Sequence, residues 1–142
     1  MSSSFRRLEV WQRGMELVEA VYRVSASFPK AELYGITSQI RRAALSVPSN
    51  IAEGHTRAST REYIQHLSVA QGSLAEVDTQ LELAGRLGYL DTADLAPLQS
   101  QCLILGKQLH QLRDALLKRL RRASAPNPQS LIPNPQVLRS NH

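Results

Sequence analysis

Apolar residues recur three or four positions apart through most of the first 120 residues, the spacing that gathers them on one face of a helix. No alternating pattern of strand type competes. The first such stretch runs from about Leu8 to Ser27 and stops before Phe28-Pro29. At 100° per residue, Leu8, Trp11, Met15, Val18 and Tyr22 form one stripe, and Val10, Leu17, Val21, Val24 and Phe28 form a second. The combined apolar arc is roughly 200° wide, about twice what a helix needs to face one core. It admits two readings: a helix seated deep in its own bundle, or one that packs its bundle on one side and another subunit on the other. The second is preferred, with Val10, Leu17, Val21 and Val24 as the candidate apolar interface.

The second helix spans about Ala31 to Glu53, with Leu33, Ile36, Ile40, Ala44, Val47 and Ile51 on its seam and Gly54 placed as its stop. It carries Pro48 in its body. An interior proline costs a helix about 3 kcal/mol, so tertiary structure has to compensate. Asn50 is placed to bond backbone groups that the proline frees.

The third helix, about 60–88, opens on a capping box, Ser59 with Glu62. Its seam is Tyr63, Leu67, Ala70, Leu74, Val77, Leu81 and Ala84. The fourth, about 92–121, is capped by Asp91 or Asp94, and Pro97 favours the later start or a break. Its seam is Leu95, Leu98, Cys102, Leu105, Leu109, Leu112 and Leu116. Two successive helices with a three-four alternation and a short connection are antiparallel neighbours in a bundle. The expected fold is therefore all-α, an up-down antiparallel four-helix bundle over residues 1–122.

From Ala123 the character changes. Pro126-Asn127-Pro128-Gln129-Ser130-Leu131-Ile132 is followed by the near-repeat Pro133-Asn134-Pro135-Gln136-Val137-Leu138-Arg139. Prolines at that density forbid a helix, and residues 123–142 are expected to be a disordered tail. Its Leu-Ile and Val-Leu pairs are candidate docking motifs.

Composition narrows the class. Hydrophobic content of 42% with 20% charged residues describes a globular protein. There is no secretory leader pattern, no run long enough for a membrane span, and a lone cysteine, Cys102, all of which suit the cytoplasm. The net charge of +5 is concentrated: residues 113–122 hold Arg113, Lys118, Arg119, Arg121 and Arg122 against Asp114. That cluster has two readings. It complements the dipole at a helix C-terminus, or it is a candidate nucleic-acid-binding patch that neutralises phosphates.

Catalytic chemistry is scarce. His55, His66, His110 and His142 lack metal-ligand spacing, so no metal or cofactor is expected. Gly85-Arg86-Leu87-Gly88 lacks the Lys-Ser/Thr of a phosphate-cradling loop, and no nucleophile elbow is present. No catalytic residue is assigned and an enzyme is not expected. Polar residues near the seams are more informative. Arg41, Arg42, Asn50, Glu53, Glu76 and Gln80 are read as a structural network or subunit interface, with Arg41 or Arg42 reaching Glu53 or Glu76. Cys102 is read as a small core residue.

Phe5-Arg6-Arg7-Leu8-Glu9-Val10-Trp11, Tyr34-Gly35-Ile36-Thr37-Ser38-Gln39-Ile40-Arg41-Arg42-Ala43-Ala44, Val47-Pro48-Ser49-Asn50-Ile51-Ala52-Glu53-Gly54 and Leu81-Glu82-Leu83-Ala84 together resemble the four-helix bundle family of 23S rRNA intervening-sequence proteins. The family also takes in the accessory variability determinant of diversity-generating retroelements. The resemblance implies an up-down bundle assembling as a ring of five subunits. In the retroelement branch it implies binding to nucleic acid and a reverse transcriptase. The expected function is a non-enzymatic homo-oligomeric scaffold or interaction module, a homopentamer that binds RNA, DNA or a ribonucleoprotein. The alternative is a protein-binding adaptor without a nucleic-acid role.

Overall fold

The computed structural model describes residues 4–124. Four helices fill that span: α1, Glu9–Ser25; α2, Ile36–His55; α3, Thr60–Arg86; and α4, Thr92–Ser124. Short 3-10 turns cover Phe5–Arg7 and Lys30–Glu32, and the described residues contain no strand. Helix α2 packs on α1 and α3, α4 packs on α3 and α1, and the diagonal pairs stay apart. This is the up-down bundle expected from the pattern.

Local chemistry sets the boundaries. Ser59 accepts a bond from the Glu62 N–H and starts α3, while Asp91 accepts one from the Asp94 N–H and starts α4. Two residues past the end of α3 lies Gly88, whose φ of 78° is open to glycine. The Tyr89 N–H returns to the Ala84 carbonyl and the Gly88 N–H to that of Gly85, satisfying the last carbonyls.

Leu17, Ile40, Val47, Ile51, Leu67, Val77, Leu81, Leu105 and Leu109 form the sealed centre. Each side chain of this size contributes about 1.5–3 kcal/mol on full burial.

Several expectations change. Val10, Leu17 and Val21 lie in this core and are not available as an interface; Val24 is half-buried against it. A bundle helix faces two neighbours, so α2 and α4 absorb most of the wide apolar arc of α1. Of its outer stripe, only Tyr22 is substantially exposed. Helix α2 begins at Ile36 rather than near Ala31, which leaves Leu33 exposed in the connection instead of on the seam. Gly54 lies inside α2, buried, and does not stop it. Pro97 neither delays nor breaks α4; it is exposed, so the carbonyl it leaves without a helical donor faces water. Helix α4 extends to Ser124, and the remainder of the expected tail lies outside the described residues.

Candidate nucleic-acid interface

Two side-chain bonds fix the antiparallel register of α3 and α4: Arg113 Nε donates to Ser68 Oγ at 2.9 Å, and Gln99 Nε2 to Glu82 Oε1 at 3.1 Å. With short connections throughout, the start of α1, the α2–α3 turn and the end of α4 share one end of the bundle. That end gathers Arg6 and Arg7 before α1, Arg57 and Arg61 around the α2–α3 turn, and Arg119, Arg121 and Arg122 on α4, all exposed. The opposite end carries Glu32, Glu82, Asp91 and Asp94 with Lys30 and Arg86. Sequence reading locates only the α4 portion, because the other four arginines are scattered and only the fold brings them together.

The five α4 candidates do not act alike. Arg113 is half-buried and holds α4 to α3 through Ser68. Lys118 pairs with Asp114 at 3.1 Å. Arg119, Arg121 and Arg122 make no ion pair among the described residues. Arg57 pairs with Glu53 at 2.7 Å, and Arg6 lies over the Phe5 ring at 4.9 Å. Exposed guanidinium groups of this kind bind phosphate oxygens in pairs of hydrogen bonds. Aromatic rings at this end are already engaged: Phe5 with Trp11 and His55 with Tyr63, each edge-on. Burial holds the Tyr63 hydroxyl above its usual pKa.

The polar residues near the α2 seam divide between two faces. Between α2 and α3, the Ser46 and Ser73 hydroxyls meet at 2.8 Å. Asn50 donates to the Ser46 carbonyl and hydroxyl at 2.8 and 3.0 Å, and its Oδ1 lies 3.1 Å from His66 Nδ1. His66 is 4.0 Å from Glu53, which holds Arg57. Arg42, Glu76 and Gln80 line an open cavity of about 280 Å³ beside the serine pair. Arg41 instead turns to α1, donating to Ser25 Oγ at 2.8 Å with its guanidinium 4.7 Å from the Tyr22 ring. Neither Arg41 nor Arg42 forms an ion pair with Glu53 or Glu76 among the described residues. Asn50 serves the carbonyl of Ser46, whereas the one that Pro48 leaves without a helical donor is that of Ala44.

Among the described residues no group of three or more His, Cys, Asp or Glu side chains is arranged to hold a metal. Cys102 is buried, and that burial, with Asp78 nearby, pushes its thiol up to about 12. Hydrogen bonds from Arg86 and Gln99 hold the Glu82 carboxyl below its ordinary value. No helix of the described residues is long and apolar enough to cross a membrane.

No curated protein matches the chain significantly. Among solved structures, a protein of unknown function from the S23 ribosomal protein family of Bacteroides thetaiotaomicron superposes with a TM-score of 0.69 at 20% identity. The alignment covers 74% of this chain and 95% of that one, a likeness of fold. The family model described as 23S rRNA-intervening sequence protein matches residues 6–111. That match spans most of the chain and all but the end of α4, and the protein belongs to the 23S rRNA-intervening sequence protein family.

Proposed function

We propose that this protein is a non-enzymatic, self-associating helical module of the cytoplasm that binds nucleic acid through the arginine-rich end of its bundle. The observation that carries the reading is the convergence of Arg6, Arg7, Arg57, Arg61, Arg119, Arg121 and Arg122 from three separate stretches of sequence. A helix dipole would favour only the α4 cations and Arg57, which follows the C-terminus of α2. It gives no reason for the others to collect beside them. Phosphate neutralisation accounts for the whole set and predicts strong salt dependence.

The test is binding of a labelled single-stranded RNA, followed by anisotropy from 50 to 300 mM salt (roughly the range in which counterion release is measurable). Changing Arg119, Arg121 and Arg122 to Gln is expected to weaken binding. It should also flatten the log–log salt slope by about 2, at roughly 0.7 for each phosphate no longer neutralised. Changing Lys30 and Arg86 at the opposite end should leave both unchanged. Equal effects from the two sets, or binding insensitive to salt, would remove the reading.

A second observation favours protein contacts. Tyr22, Leu33, Tyr34 and Leu45 are exposed together with Arg42, beside the half-buried Arg41, around an open cavity of about 470 Å³ on the α1–α2 face. This surface suits self-association, with the five-subunit ring that the family resemblance implies. It equally suits the adaptor role, in which a different protein sits there. Partners that stay bound after nuclease treatment and are displaced by Leu45→Glu would favour the adaptor.

A further inference from the structure

The cavity of about 280 Å³ between α2 and α3 is polar, with Arg42, Ser46, Ser73, Glu76 and Gln80 around the small Ala43. The bond between the Ser46 and Ser73 hydroxyls sets the antiparallel register there. Ala43, one turn before Ser46, therefore comes opposite Glu76, one turn after Ser73. Ala43 is buried and too short to fill the space in front of that carboxylate.

Groups on this wall lack the partners their chemistry calls for. Gln80 Oε1 is buried and accepts no hydrogen bond, one of three such side-chain atoms among the described residues. A buried acceptor left that way is costly, and native structures hold few of them. The serine pair has two hydroxyl protons and one bond between them, which leaves one proton to donate elsewhere. Arg42 and Glu76, the two charged residues of the lining, are both exposed. Among the described residues their side chains bond neither each other nor any other group. Two unused donors and two unused acceptors thus surround one small space. An anion alone would face Glu76, and a cation alone would face Arg42. A molecule with a carboxylate and an ammonium on one carbon satisfies both. We propose that this cavity binds a small free α-amino acid as its zwitterion. The carboxylate accepts from the Arg42 guanidinium and the free serine hydroxyl, and the ammonium donates to the Glu76 carboxylate and Gln80 Oε1. Neither nucleic-acid binding nor self-association is required for it.

Titration of the full chain with L-alanine, followed by backbone amide chemical shifts, tests it. Alanine is expected to bind with a Kd of about 1 mM and to move the signals around Arg42, Ser46, Ser73 and Gln80. Propionate lacks the ammonium and ethylamine lacks the carboxylate, so each should bind about tenfold more weakly or worse, for want of one charge-assisted contact. Glu76→Gln and Gln80→Leu leave the α1–α2 patch untouched, and each should weaken alanine by a similar factor. Gln80→Leu should also raise the urea midpoint of the ligand-free protein, because it removes a buried acceptor that has no partner. Propionate or ethylamine binding as tightly as alanine overturns the proposal, as does undiminished alanine binding by Glu76→Gln, whose exposed position keeps the fold intact. No response to alanine at about twentyfold above that Kd overturns it too. If the two variants instead lower the sedimenting mass while alanine has no effect, the cavity is a contact between copies and the proposal falls.

Discussion

Gly54 and Asn50 sit four residues apart on α2, and both work by contact with α3. A Cβ on Gly54 would approach His66 Cβ to 2.7 Å and Tyr63 Cδ1 to 3.0 Å. His66 Cβ is next to the backbone and cannot swing away. Gly54→Ala is therefore expected to lower stability by about 1–3 kcal/mol, the usual cost of overpacking, read as an earlier urea midpoint. Cys102 gives a second residue-scale outcome, through pH. Its thiol stays protonated in the folded chain to about 12, against an ordinary value near 9. Its contribution to stability is complete below pH 9. Above that the unfolded thiol ionises first, so stability falls as pH rises, by at most about 1.4 kcal/mol per unit from this group. Cys102→Ala should flatten the alkaline limb of a stability–pH profile. Cys102 as a core residue is legible from its place on the α4 seam. The role of Gly54 is not, because glycine after an apolar run marks a helix stop as readily as a helix crossing. Only the position of α3 decides between them.

Helix α2 is the element most at odds with its own sequence. Pro48 interrupts its ladder, yet the helix runs unbroken from Ile36 to His55. The compensation lies on α1. Gly14 is buried opposite Pro48, and a Cβ there would come within 3.3 Å of the proline ring. A helix lacking a side chain at that point lets the ring pack where a larger residue would hold the helices apart. Gly14→Val is expected to cost about 1–3 kcal/mol and to act mainly by parting α1 from α2. Amide exchange should then quicken around Pro48 while the α3–α4 pair keeps its protection; uniform quickening would contradict that locality. The period of apolar residues is enough to place all four helices, and Ser59 is enough to start α3; for α4 the sequence leaves Asp91 and Asp94 open, and Pro97 argues for the later start although Asp91 is the cap. In the α1–α2 connection the same period misleads. Leu33 continues the apolar spacing of α2, but the chain between Pro29 and Gly35 takes a 3-10 turn that carries Leu33 into solvent.

At the scale of the molecule, two of the surfaces that the described residues leave open respond to opposite conditions. The arginine-rich end is electrostatic, whereas the α1–α2 patch is largely apolar. The pattern along the chain points to an apolar excess on α1 itself. The bundle takes in Val10, Leu17 and Val21, and the excess emerges instead at Leu33, Tyr34 and Leu45, with exposures of 51%, 93% and 49%. Periodicity within one helix counts apolar residues but cannot say which are covered by a neighbour. If the patch joins copies of this chain, association should persist in high salt, since apolar burial is not screened. Sedimentation at micromolar concentration is expected to give a particle several times the 15.8 kDa chain mass at both low and high salt. Leu45→Glu with Tyr34→Asp should reduce it to single chains, with helicity unchanged because both side chains are exposed. RNA binding by that variant should keep its salt slope per chain, yet forfeit the gain in affinity that linked copies provide. Wild-type protein that sediments as single chains would remove self-association while leaving the charge argument intact. An oligomer that dissolves in salt would instead move the contact to the arginine-rich end.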